Sequence, residues 1–248
     1  MDLTQTINVL ARRMDELRAA VLFQAMGPDR ICSFAAFDQL VHMHLPFAAT
    51  DVVQRHILVT ASFYESRQLA TIRRWVQPGA VVVDAGANIG NHTVFFARVC
   101  GAAEIIAFEP LKTIFPILER NVALNGLGGV RLVNAALGAR PGAAALSHFA
   151  EANISASAFR PAADEAYPVT TIDALGLERL DFLKIDVEGS QLQVLEGARD
   201  TIARTRPPIW IELRPRFGEF APGDAAMKAM GYRLQQSMSP ADRLYLPA

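Results

Sequence analysis

From Val81 onward, short apolar runs alternate with helix-length amphipathic stretches. Val81-Val82-Val83, Ile105-Ile106-Ala107-Phe108, Val130-Arg131-Leu132-Val133, Phe182-Leu183-Lys184-Ile185 and Ile209-Trp210-Ile211 each predict a short, mostly buried strand. Between them, Asn91 to Val99, Lys112 to Leu124 and Gln191 to Ile202 carry helical spacing. Apolar strands separated by helices indicate a parallel sheet covered on both faces, because each crossover lays a helix over the sheet. Two more strand-like pieces, Tyr232-Arg233-Leu234 and Arg243-Leu244-Tyr245-Leu246, are close in sequence and predict an antiparallel hairpin at the end of that sheet. The pattern is that of a doubly wound α/β domain, expected over residues 61–248.

Before Val81 the periodicity changes. Leu3, Ile7, Leu10, Met14, Leu17 and Val21 are spaced alternately by four and three residues, a heptad seam that stops at Gly27-Pro28. Its flanking positions hold Thr4, Thr6, Ala11, Arg13, Arg18 and Ala20, which offer no alternating charges to specify a paired coil. Two burials suit this stripe: packing on the chain's own second helix, or homodimerisation, the expectation adopted. That second helix is predicted from about Tyr64 to Val76, ending at Gln77-Pro78-Gly79. Residues 1–60 are expected to form an N-terminal helical extension. From Leu146 to Pro168 the rhythm breaks into an insertion rich in Ala, Ser and Asn; within it, Glu151 to Ala158 reads either as a substrate lid or as a plain surface loop.

Composition narrows the function. With 24 Lys+Arg against 25 Asp+Glu, the net charge of −1 gives no surplus to displace counterions from nucleic-acid phosphates. No apolar run approaches the roughly 18 residues that span a bilayer, and no signal-peptide h-region precedes Arg12 and Arg13. Cys32 and Cys100 are too few for a disulfide framework and lack metal-ligand spacing. A soluble, cytoplasmic protein is expected.

The chemistry concentrates where the first strand ends, in Asp84-Ala85-Gly86-Ala87-Asn88-Ile89-Gly90-Asn91-His92. Gly86 and Gly90 let a ligand approach the backbone, and a helix starting near Asn91 presents free N–H groups. The dehydrogenase fingerprint fails, since Asn88 and Asn91 occupy two of its glycine positions, and no triphosphate loop is present. The pattern present is D-x-G-x-N-x-G, with Phe108-Glu109-Pro110 closing the next strand and Glu109 lying 19 residues beyond Gly90. An acid at that distance is placed to accept the ribose hydroxyls of an adenosine-containing ligand. Taken singly, Asp84 reads as a helix cap and Glu109 as a loop acid.

Together these motifs resemble class I S-adenosylmethionine-dependent methyltransferases. Thr171-Ile172-Asp173, the run from Leu183 to Gly189, and Glu196-Gly197-Ala198 resemble the FkbM family in particular. The resemblance covers roughly Tyr64 to Leu213 and implies a mostly parallel sheet of about seven strands. It also implies that Asp84, Gly86, Asn88, Gly90 and Asn91 line the methionine part of the cofactor and that Glu109 and Pro110 border the ribose. Asn134 and Ala135 would border the adenine, and Glu65 would lie near the methionine end.

Asp186 and Glu188 end the fourth strand, at the edge where open α/β sheets hold ligands. In one reading Lys184 and Asp186 form a structural ion pair and Glu188 caps the following helix. In the other, Asp186 orients or deprotonates an acceptor hydroxyl, with or without a divalent metal. His92, directly after the glycine turn, reads as a helix-start residue or as a group reaching cofactor or acceptor. His42 and His44 share a strand face without further ligands in the nearby sequence. Neither the Pro-Pro-aromatic run of amino-methylating nucleic-acid enzymes nor a nucleophilic Cys stands at this strand end.

The expected activity is methyl transfer from S-adenosylmethionine to a hydroxyl of a small molecule such as a sugar or polyketide. N-methylation of a peptide or small amine, and a cofactor-binding pseudo-enzyme with an assembly role, are the alternatives.

Overall fold

A computed structural model describes residues 2–148, 158–161 and 167–248. The elements run α1 (Leu3–Ala25), β1 (Ile31–Ala36), β2 (Gln39–His44), α2 (Val52–Thr60), α3 (Ser66–Ile72), β3 (Val81–Ala85), α4 (Asn91–Arg98), β4 (Glu104–Phe108), α5 (Phe115–Leu124) and β5 (Val130–Val133). They continue with β6 (Ala136–Leu137), β7 (Gly142–His148), β8 (Ala158–Pro161), β9 (Tyr167–Thr170), β10 (Phe182–Ile185), α6 (Gln191–Glu196), α7 (Arg199–Thr205), β11 (Ile209–Glu212), α8 (Phe220–Ala229), β12 (Tyr232–Ser237) and β13 (Asp242–Pro247).

Seven strands form the main sheet in the order β12-β13-β11-β10-β3-β4-β5. β11, β10, β3, β4 and β5 pair in parallel, while β13 pairs antiparallel with both β11 and β12. The expected C-terminal hairpin is therefore present, and it closes one edge of the sheet. The chain winds outward from β3 through β4 to β5 and then returns to place β10 on the other side of β3. That reversal leaves a crevice at the carboxyl ends of β3 and β10, where helices diverge to opposite faces.

Strand alternation sorts the core into two layers. Val82, Ile105, Ala107, Phe182 and Trp210 face one, and Val83, Ile106, Phe108, Leu183, Ile185 and Ile211 face the other. The first layer also contains Phe34, Val41, Met43 and Ile57, so much of the N-terminal segment packs against the same core as the sheet. That segment is not helical throughout: β1 and β2 form an antiparallel hairpin. Asn121 of α5 ties the hairpin to the glycine turn, accepting from the His44 N–H (2.6 Å) and donating to the Ile89 carbonyl (2.7 Å).

The predicted helix from Gln191 to Ile202 is broken into α6 and α7. Gly197 lies against the Gly138 carbonyl so tightly that a Cβ would sit 2.1 Å from that oxygen, and the helix is interrupted at this contact. The irregular insertion predicted around residues 146–168 contributes to a second, four-stranded sheet, order β6-β9-β7-β8. Residues 151–157 of the expected lid lie outside the described residues.

Candidate active site

The turn after β3 is built around a near contact of two strand ends. At Gly86 (φ +82°) a Cβ would lie 1.8 Å from the Asp186 carbonyl oxygen, so only glycine lets β3 and β10 end side by side. Beneath that contact Asp84 and Lys184 are register partners on the same face. The Lys184 ammonium lies 3.1 Å from Asp84 Oδ1, 3.5 Å from Asp186 Oδ2, and donates to the Gly86 carbonyl at 2.8 Å. Asp84 Oδ2 accepts from the Thr93 hydroxyl at 2.6 Å, anchoring α4. Burial lowers the proton affinity of Lys184, but Asp84 and Asp186 outweigh it and hold the ammonium above its usual range.

Glu109 follows β4 and is almost fully buried. Its Oε2 accepts from the Asn88 N–H (2.9 Å) and its Oε1 from the Leu111 N–H (2.8 Å). These bonds aim the carboxylate at the turn and leave each oxygen a further lone pair. Burial outweighs both donors and pushes the carboxyl up to about 7.

Along the other side of the turn, Asn91 exchanges hydrogen bonds with the backbone of Tyr64 through Oδ1 (2.9 Å) and Nδ2 (3.1 Å). This exchange brings in Glu65, a residue in the left-handed region (φ 57°), whose Oε2 lies 3.2 Å from His92 Nε2. The His92 ring stands edge-on to Trp210, centroids 4.9 Å apart. Burial raises the Glu65 carboxyl, yet His92 and Lys184 prevail and hold it below the usual range.

Across the crevice, the ends of β10 and β11 gather Asp186, Glu188 and Glu212, one carboxylate oxygen of each lying within 4.8 Å of the others. Arg214 contacts Glu188 through Nη1, Glu212 through Nε (3.5 Å) and Glu219 through Nη2 (3.2 Å). Glu188 is thus the partner of Arg214 rather than the cap of the helix after Ser190, which has no side-chain cap. Burial, reinforced by the charge of Asp186, pushes the Glu212 carboxyl up to about 9 despite Arg214. Sequence reasoning missed both Glu212 and Arg214. The signal was there in strand alternation, which puts Glu212 on the Trp210 face beside Asp186.

These groups line one cavity of about 850 Å³, within the range of small-molecule sites. Of the residues expected at the site, Glu65, Gly86, Asn88, Asn91, His92, Glu109, Pro110, Ala135, Asp186 and Glu188 line it. Asp84, Gly90 and Asn134 stand behind its wall. Asp84 is turned inward to Lys184, Gly90 starts α4, and Asn134 donates to the carbonyls of Glu109 (2.8 Å) and Pro110 (3.1 Å). His42 and His44 lie apart, bonded through Nδ1 to the Ser33 hydroxyl and the Asp29 carbonyl, both at 2.7 Å. The run from Leu137 to Ala144, on the second sheet, forms a further wall that the sequence reading did not assign.

A switch-point crevice bordered by a D-x-G-x-N-x-G turn, an acid after the next strand and an antiparallel β13 defines the class I methyltransferase fold. Comparison with known proteins agrees. Residues 84–234 match the methyltransferase FkbM domain. "Methyltransferase 1" of Beauveria bassiana is 27% identical over 177 residues, covering 61% of this chain and 71% of that protein. "Methyltransferase sdnD" of Sordaria araneosa is 30% identical over 154 residues, covering 47% and 59%. The crystal structure of methyltransferase FkbM from Methylobacillus flagellatus superimposes with a TM-score of 0.51 at 15% identity, over 94% of this chain and 59% of that one. The chain thus spans about three fifths of the Sordaria protein and of the solved structure. The chain belongs to the FkbM methyltransferase family. Among the described residues no helix is long and apolar enough to cross a membrane.

Proposed function

We propose that the cavity binds S-adenosylmethionine and that the chain transfers its methyl group to a hydroxyl oxygen of a small molecule. The observation that carries this reading is Glu109: a buried carboxylate on the cavity wall, oriented by two backbone N–H groups and with lone pairs left over for two ribose hydroxyls. The residues fit the cofactor elsewhere too. Gly86, Asn88 and Asn91 expose backbone along the turn, Ala135 is small beside Glu109, and Glu65 offers a carboxylate to a cationic amino group.

The bound cofactor supplies a methyl already activated on a sulfonium, so the protein's work is alignment and removal of one proton. Lys184 fixes the floor by bridging Asp84, the Gly86 carbonyl and Asp186. The Asp186 carboxylate, at the catalytic edge of the sheet, takes the acceptor's proton. Glu212 beside it carries its own proton at neutral pH and donates a hydrogen bond to the acceptor oxygen. A divalent cation on Asp186, Glu188 and Glu212 would serve the same end by lowering the acceptor's proton affinity. The surplus of acids here also favours a second reading, in which the acceptor is an amine held as its ammonium before it loses a proton.

Calorimetry with S-adenosylmethionine tests the cofactor assignment. Hydrogen bonds to a charged group in a buried site contribute about 2–3 kcal/mol, so Glu109→Ala should weaken binding roughly 30- to 150-fold. Unchanged affinity in a folded Glu109→Ala protein sinks the assignment. Screening hydroxylated and amine acceptors, with and without EDTA, then separates oxygen from nitrogen transfer and decides the metal.

A further inference from the structure

The helix that precedes the sheet domain carries an apolar stripe that nothing among the described residues covers. α1 is 23 residues long, about 34 Å, and meets α2 with the face opposite its apolar seam. Ala19 is the fully buried residue on that docking face, Glu16 lies 3.7 Å from Arg55, and Phe23 and Met26 are half-buried against the core. The seam points away. Ile7, Leu10, Met14, Leu17 and Val21 keep 54–68% of their surface exposed, and these are five of the six residues at heptad spacing. Packing of the seam on the chain's own second helix, the rival burial, is therefore not what the fold adopts.

A stripe this narrow, with a 3.5-residue period, matches another helix rather than a flat or fluid surface. A membrane surface suits it poorly. Over its whole length the helix carries Arg12, Arg13 and Arg18 against Asp15 and Glu16, which is not the strong basic surplus that anionic lipid attracts. A second copy of the chain offers an identical stripe on a two-fold axis, the self-complementary arrangement that closes without leaving either seam open. Covering five such side chains on each copy removes about 1,000 Å² of apolar surface, the floor for a specific interface. We infer that the chain dimerises through α1, seam against seam.

The experiment is sedimentation velocity on the full chain across concentrations of about 1–100 µM, which detects micromolar self-association. The wild type should run at twice the chain mass at the upper end. Leu10→Glu with Leu17→Glu, both exposed in the monomer, should leave the melting temperature of the sheet domain unchanged and abolish the dimer over the whole range. Gln5→Glu with Arg12→Glu, exposed on the face of α1 opposite the seam, should keep it. A wild type that stays monomeric at about 100 µM overturns the proposal, and its sedimentation with phosphatidylcholine/phosphatidylglycerol vesicles would then name lipid as the occupant. A dimer that survives the double Leu substitution overturns it as well, since the contact would lie elsewhere.

Discussion

The ends of β3 and β4 and the ends of β10 and β11 border the same cavity, yet their charges are handled in opposite ways. On the first side each carboxylate has fixed partners: Asp84 has Lys184 and Thr93, and Glu109 has the N–H groups of Asn88 and Leu111. On the second side Asp186, Glu188, Glu212 and Glu219 share Arg214 and the far side of Lys184. Half-buried carboxylates in excess of cations are stabilised by keeping a proton or recruiting a positive partner. The first side is thus preorganised to hold a ligand. The second is left unbalanced, so that a proton, an ammonium or a metal ion is favoured there. That is the condition a proton-accepting edge needs.

The comparison breaks most severely at Lys184, among the described residues the one cation that touches both sides. Lys184→Met leaves Asp84 buried and uncompensated, which should cost about 3–5 kcal/mol of stability by chemical denaturation. A loss below about 1 kcal/mol, the level of a surface pair, would mean that Asp84 finds another partner and that the floor is not held by this ammonium.

Asp186→Asn comes next and distinguishes the two roles given to that residue. Proton removal contributes about 10²–10⁴-fold, so turnover on an acceptor found by screening should fall within that range while cofactor affinity holds. Normal turnover with a lowered melting temperature would make Asp186 a structural counter-ion of Lys184 and nothing more.

The effect smallest per step sharpens the contrast through pH, one unit at a time. Glu212 has a higher proton affinity folded than unfolded, so between about pH 4.5 and its folded value of about 9 the native state binds the extra proton. Stability should therefore fall as pH rises through that window, by at most about 1.4 kcal/mol per unit. Glu212→Gln, which mimics the protonated form, should match wild type below about pH 4.5 and lose less stability than wild type from there toward pH 9. Equal slopes in the two proteins would show that Glu212 ionises freely, and the second side would then resemble the first.

Local pattern carried much of this molecule. Apolar runs of strand length marked all seven strands of the main sheet, and the turn from Asp84 to Asn91 with Glu109 marked where the cavity lies, because strand burial and glycine turns are short-range requirements. The same reading extended one helix across Gly197, whose break depends on the Gly138 carbonyl of a distant turn. It also set Asp84 among the residues lining the cavity, because a register partner on β10 is invisible from β3 alone.

What the sequence by itself determined, then, was the alternation that builds the sheet and the chemical identity of the groups at its carboxyl edge. The tertiary structure alone decided which groups meet. It brought Glu212 to Asp186, tied Arg214 to Glu188, and turned the seam of α1 outward while Ala19 went in. Strand order and helix docking are settled by burial summed over the whole chain, so residues far apart in sequence become neighbours only once the sheet has closed.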